Sequence, residues 1–259
     1  MMYDRTLIEI RERSFLDLLD LAVLVVRDRP VSLGLAALAG VAPWAGLNLW
    51  LLSNPAFPPI VWPALLVLET PWATAPLTLV LGDLMFGVQP RPGRVFLTLL
   101  LSLPALVLAQ FVVRGLLLLF GVTYPLMPAQ YAFLDEVILL ERVSVFQIFR
   151  RSRVLSRGSE GELFLRWIGQ IMLGAFFALC FWMSAKTLSG ALAGDELTWY
   201  RPGLSDLGGV FFQVGIWIAI AYFGVFRFLS YIDWRIRLEG WALELRLKAV
   251  GRASEEKLH

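Results

Sequence analysis

Residues 122–140 read VTYPLMPAQYAFLDEVILL, and whether this stretch crosses a membrane decides the topology of everything on either side of it. It is the weakest of six apolar runs, because it holds Pro125, Pro128 and Gln130, with Asp135 and Glu136 near its end. A helix needs about 20 predominantly apolar residues to cross a hydrocarbon core of about 30 Å. Five other runs reach or approach that length: residues 31–52, 60–86, 96–120, 164–185 and 208–229.

Charge placement resolves the ambiguous run. With six crossings and a cytoplasmic N-terminus, 20 of the 23 Lys and Arg residues fall in cytoplasmic segments, Lys186 and Arg201 fall outside, and Arg114 alone lies within a span. That asymmetry is what the positive-inside rule demands. Omitting the crossing at 122–140 would put Arg142, Arg150, Arg151, Arg153, Arg157 and Arg166 on the wrong side. The expected fold is therefore all-α: a polytopic bundle of six transmembrane helices forming one membrane domain over residues 1–259, with both termini cytoplasmic. The aromatic residues agree, with Trp50, Trp62, Trp182, Trp199 and Tyr200 near one interface and Trp167, Trp234 and Trp241 near the other.

Composition supports lipid as the solvent. Of the 259 residues 58% are hydrophobic and only 17% charged, against about 25% charged in soluble domains. One cysteine, Cys180, and one histidine, His259, exclude a disulfide framework within the chain, an imidazole metal site and a Ser-His-Asp triad. No metal, cofactor or enzymatic activity is expected. Eleven charges among the first thirty residues argue against a cleavable leader.

Amphipathic segments flank the runs. Residues 4–28 set Leu7, Ile10, Phe15, Leu18, Ala22 and Val25 against Glu9, Arg13, Asp17 and Asp20 at helical spacing, which reads as an interfacial helix. Ser14 with Asp17 has the form of a capping box from which that helix restarts. Residues 231–250 alternate apolar and charged; they fit either a β-hairpin or, as preferred here, an amphipathic helix on the inner leaflet. Ala36 with Gly40, Ala42 with Gly46, and Gly174 with Ala178 have the small-residue spacing that lets helices approach closely.

Charged groups at membrane depth cost several kcal/mol and need partners. Glu69 and Arg114 fall at nearly the same depth on sequence-adjacent antiparallel spans, so they are expected to form an intramembrane polar pair. Pro71 and Pro76 deprive the carbonyls of Val67 and Trp72 of their helical donors. Thr70, Thr74 and Thr78 follow at intervals of four, placed to re-satisfy such groups or to face a cavity. Pro71, Thr74, Pro76 and Thr78 are thus a candidate polar face of a broken helix. The cytoplasmic basic motif comprises Glu141, Arg150, Arg151, Ser152, Arg153 and Arg157, whose arginines suit the phosphates of an anionic leaflet.

From Glu141 through Arg151-Ser152, Leu155 and Gly158, and again at the ending Tyr231 to Trp241, the chain resembles bacterial multi-pass membrane proteins that include the membrane domain of some glycerophosphodiester phosphodiesterases. The acidic residue that often follows the final aromatic in such proteins is replaced here by Ala242. The resemblance implies a six-helix fold and no phosphodiesterase activity, the catalytic domain being absent. The expected role is a non-enzymatic scaffold or accessory subunit in a bacterial inner membrane, with the lipid bilayer and other membrane proteins as partners and no nucleic acid. The alternative is a small transporter or lipid-handling protein using the Glu69 and Arg114 region. An enzyme acting on lipid, using Glu69, Asp135 and Glu136, is a third.

Overall fold

The computed structural model describes residues 14–54, 56–58, 61–85, 88–119, 126–141, 145–193 and 209–239. Every regular element among them is helical, and five helices are long and apolar enough to cross a membrane: Pro30–Leu52, Trp62–Met85, Pro92–Leu119, Glu160–Leu192 and Val210–Leu238.

Helix α1 (Phe15–Asp28) starts where the sequence places a cap. The Ser14 hydroxyl accepts from the Asp17 backbone N–H at 3.2 Å, and the Asp17 carboxylate accepts from the Ser14 N–H at 3.1 Å. These bonds satisfy two donors at the helix start. Leu18, Ala22 and Val25 are buried. Residues 4–13 of the expected interfacial helix lie outside the described residues. Arg29 leaves helical geometry and Pro30 opens α2 (Pro30–Leu52) as its first residue, where proline's missing N–H has no helical acceptor in any case.

Helices α2 and α3 (Trp62–Met85) are antiparallel and meet most closely at Gly40. A Cβ there would lie 2.0 Å from the Ala73 carbonyl oxygen, so only glycine allows this approach. In lipid, where burial of apolar surface drives association weakly, such close packing is the main source of helix affinity. Gly224 plays the same part further along the chain, its missing Cβ falling 2.9 Å from Thr74 Cγ2.

Helix α4 (Pro92–Val107) continues through a π-helical turn at Leu108–Arg114 into α5 (Gly115–Leu119). The expected fourth crossing does not form one helix. Its described part consists of α6 (Leu126–Gln130), a turn over residues 131–133, α7 (Leu134–Glu136) and a π-helical turn at Val137–Glu141. Leu134, Asp135, Glu136, Val137, Ile138 and Leu139 are all buried. The break is tolerated because protein, not lipid, surrounds it: Arg227 donates to the exposed Ala132 carbonyl at 3.3 Å.

Helix α8 (Val145–Ser156) ends at Gly158, whose φ of +82° suits glycine. The long α9 (Glu160–Ala193) and α10 (Val210–Glu239) pack side by side. Against the expected separate C-terminal segment, α10 runs unbroken through residues 232–239, with Tyr231, Ile232, Asp233 and Trp234 buried. Ile232 and Trp234 face protein, Trp234 against the Phe133 and Arg166 side chains, whereas Leu238 on the last turn is exposed. Residues 240–250 lie outside the described residues.

One end of the bundle gathers the arginines. Asp83 and Arg94 pair at 3.7 Å where α3 ends and α4 begins. Arg166 near the start of α9 lies over the Trp234 ring at 4.9 Å, close to the end of α10. Ser14, Phe15, Glu162, Arg166 and Arg237 border one shared cleft. At the opposite end Trp62, Trp182 and Phe212 cluster, with ring centroids 5.7 and 6.4 Å apart. The α1 helix docks on α10 by an edge-on Phe15–Phe226 contact and by a bond from the Tyr222 hydroxyl to the Leu19 carbonyl at 2.9 Å.

Candidate functional site

Three buried charges, Arg114, Asp135 and Glu136, meet the partly exposed Arg227 inside the arginine-bearing half of the bundle. Asp135 accepts from Arg114 at 3.3 Å, from Arg227 at 3.0 Å and from the Gln110 amide at 2.5 Å. Glu136 accepts from the same Arg227 nitrogen at 3.2 Å. Two guanidinium groups thus balance two carboxylates, which is the condition under which buried charge is tolerated. The π-helical turn at Leu108–Arg114 carries both Gln110 and Arg114 to Asp135. Single π turns of this kind often mark functional positions.

The expected Glu69–Arg114 pair is replaced by two separate arrangements. Glu69 accepts from the Asn48 amide of α2 at 2.6 Å, while Arg114 turns to Asp135. The expectation rested on depth along the helices, and depth says nothing about the direction in which each helix face points. Of the two roles expected of the broken-helix polar face, Thr70 and Thr74 take the second, lining a cavity between α3, α6, α9 and α10. Helix α3 remains continuous through Pro71 and Pro76. Thr70, Thr74 and Thr78 donate to the carbonyls of Leu66, Thr70 and Thr74 at 2.6, 2.9 and 3.2 Å. These are the residues four positions back, so the hydroxyls do not serve the carbonyls of Val67 and Trp72 that the prolines release.

The basic motif is internally tied. Arg151 grips Glu141 with two bonds of 2.7 and 3.3 Å. The Tyr231 hydroxyl donates to the same carboxylate at 2.8 Å, and Arg235 lies 3.8 Å from it. Ser152, on the inward face of α8, is fully buried, and Arg153 bonds the Tyr131 hydroxyl. Arg150 and Arg157 face outward. The two stretches that carry the family resemblance, around residues 141–158 and 231–241, are therefore joined through Glu141 and Tyr231.

A cavity of about 310 Å³ opens between α3, α6, α9 and α10, within the usual size range of ligand pockets. Its walls include Leu66, Thr70 and Thr74 of α3, Ile171 of α9 and Ile216, Ala219 and Phe223 of α10. Arg114, Arg166 and Arg227 also line it, together with Tyr131, Gln170 and Ser230, but no Asp or Glu does. Buried Asp135 and Glu136 balance Arg114 and Arg227, and Glu162, which borders the neighbouring cleft, balances Arg166, so the charged residues on this wall are all arginines. Among the described residues Arg166 Nη1, Arg114 Nε and Ser230 Oγ are buried with no hydrogen-bond partner. Arg166 is held from two sides, by Glu162 at 2.9 Å and by the Trp234 ring.

Sequence reasoning passed over Arg227 as part of a cytoplasmic segment, and Gln110 altogether. A signal was present: Arg227 lies inside the run at 208–229, and Asp135 and Glu136 inside 122–140, so three charges besides Glu69 and Arg114 needed partners. Among the described residues no group of three or more His, Cys, Asp or Glu is placed to hold a metal ion. Comparison of the chain with protein-family models, with curated proteins and with solved structures finds no match.

Proposed function

We propose that this chain is a lipid-handling protein of a bacterial inner membrane, which takes a membrane-resident amphiphile into the cavity between α3, α6, α9 and α10. The observation that carries this reading is the composition of that cavity: a long apolar wall with guanidinium groups and no carboxylate. In the same proposal the chain passes the membrane six times, the stretch up to residue 141 returning it to the arginine-bearing end as a broken segment, and both termini are cytoplasmic. The gathering of Arg94, Arg151, Arg166 and Arg237 at one end supports that orientation. The resemblance to membrane domains of glycerophosphodiester phosphodiesterases is kept as a proposal about fold and lends no activity.

A scaffold role is the second reading, and one feature favours it. Helix α9 has 34 residues, about 51 Å at 1.5 Å each, well beyond the hydrocarbon core, and Leu188 and Leu192 on its far turns are 62% and 80% exposed. A partner protein could cover them.

The test is saturable binding by the full-length chain, purified in mild detergent and stripped of lipid, of a single-chain lipid carrying a fluorophore. Trp167 on the cavity wall reports contact. We expect about one probe per chain, with affinity falling at least tenfold in Ala219→Trp, which fills the cavity. Unsaturable partitioning that is identical in both proteins would overturn the proposal.

A further inference from the structure

We infer that the cavity selects a ligand with an anionic phosphate-type head and one apolar chain, the head held by Arg166 with Ser230 and Gln170. The inference rests on the lipid-handling reading and adds the chemistry of the ligand.

Three observations converge on it. First, the charged residues that line the wall are all arginines: Arg114 and Arg227 are paired with Asp135 and Glu136, and Arg166 with Glu162, none of which lines the cavity. Second, Arg166 is pre-positioned. It is 6% exposed, its Nε and Nη2 are occupied by Glu162, its face lies over Trp234, and Nη1 is left without an acceptor. A guanidinium held in this way pairs with a multi-oxygen anion at little ordering cost, since its orientation is already set. Ser230 brings a second buried polar atom without a partner, its hydroxyl oxygen, to the same wall. Third, the polar and apolar parts are separated along the helices. Arg166, Gln170, Arg227 and Ser230 sit toward the arginine-bearing end, whereas Leu66 and Ile216 lie near the other extreme. From Ile216 to Ser230 is 14 residues of α10, about 21 Å, the reach of one long acyl chain. With about 310 Å³ available, the space suits one chain rather than two.

The geometry also orients the ligand. Its head lies at the end that bears the arginines, and its chain runs along the cavity toward Leu66 and Ile216. An uncharged amphiphile would leave Arg166 Nη1 and Ser230 Oγ buried and unpaired, a penalty of the kind that makes polar sites reject ligands lacking the matching group.

The experiment compares three ligands on the full chain in detergent by native mass spectrometry and by displacement of the fluorescent probe. They are a single-chain lysophosphatidic acid, the monoacylglycerol of the same chain, and inorganic phosphate. We expect the phosphomonoester to bind at least tenfold more tightly than the monoacylglycerol, Arg166→Gln to erase that difference, and Arg166→Lys to keep part of it. Gln170→Leu, read alongside tryptophan-monitored melting, gives a second reading if Arg166→Gln folds poorly; at least a threefold loss for the phosphomonoester is expected. Equal affinity of the two lipids in the unaltered protein would overturn the anionic head while leaving lipid handling intact. Failure of both lipids to bind saturably would overturn both. Displacement of lysophosphatidic acid by millimolar inorganic phosphate, with no contribution from the chain, would assign the site to free phosphate and overturn the amphiphile.

Discussion

Replacing Arg227 by methionine removes the group that ties the buried charge cluster together. One of its nitrogens serves Asp135 at 3.0 Å, Glu136 at 3.2 Å and the Ala132 carbonyl at 3.3 Å. At an effective dielectric of about 20, each ionic contact at that range carries about 5 kcal/mol of gross attraction, most of it offset by the cost of taking both ions out of water. What a measurement reads is the cost of leaving the partner charge alone, about 3–5 kcal/mol for a buried pair. Arg227→Met changes the cluster from neutral to one net negative charge, and Glu136 then has no guanidinium within bonding distance among the described residues. Adding Glu136→Gln restores neutrality. The double variant is therefore expected to recover at least about 1.5 kcal/mol relative to the sum of the single changes, within the usual range of coupling between contacting residues. Reversible unfolding in mixed micelles by a denaturing detergent, followed by tryptophan fluorescence, measures all four corners of the cycle. Additivity to within about 0.5 kcal/mol, or a milder effect of Arg227→Met than of Glu136→Gln, would refute the reasoning.

Two further outcomes follow from contacts described above. Gly40→Leu forces α2 and α3 apart where a Cβ already meets the Ala73 carbonyl at 2.0 Å; a loss of about 1–3 kcal/mol or more is expected from overpacking, while Gly46→Leu, with nothing within 4 Å, should unfold like the unaltered chain in the same assay. Glu69→Gln keeps an acceptor for Asn48 and should cost under about 1 kcal/mol, whereas Glu69→Leu leaves that buried amide unpaired and should cost about 1–3 kcal/mol; equal losses would mean that the Asn48–Glu69 bond at 2.6 Å does not contribute.

Much of the architecture was legible from local pattern. The limits of α2, α3 and α10's first residues lie within two or three positions of the apolar runs, because hydropathy is a property of neighbours in sequence. The Ser14 cap was legible for the same reason, since its two partners are three residues apart. Gly40 and Gly174 were recognisable as close-approach positions, though not which helix each would meet, whereas Gly46, expected with Ala42 to be another, faces open space. The stretch at 122–140 was misjudged as one helix: Asp135 and Glu136 lower its hydropathy, and the stretch is instead enclosed by protein and broken at residues 131–133, where a side chain from α10 supplies the missing donor. At the end of α10 the preferred helix is present as far as Glu239, continuous with the preceding span, with Ile232 and Trp234 buried and Leu238 exposed.

What the sequence by itself determined was the solvent and the polarity of the fold: helices of membrane length, separated by arginine-rich ends that belong together. Those properties are sums over adjacent residues. The partners of the buried charges were decided only in three dimensions, because pairing depends on which face each helix turns inward and on where a helix breaks. Rather than Glu69, Arg114 bonds Asp135, a residue 21 positions away on a segment that also meets Arg227 of α10.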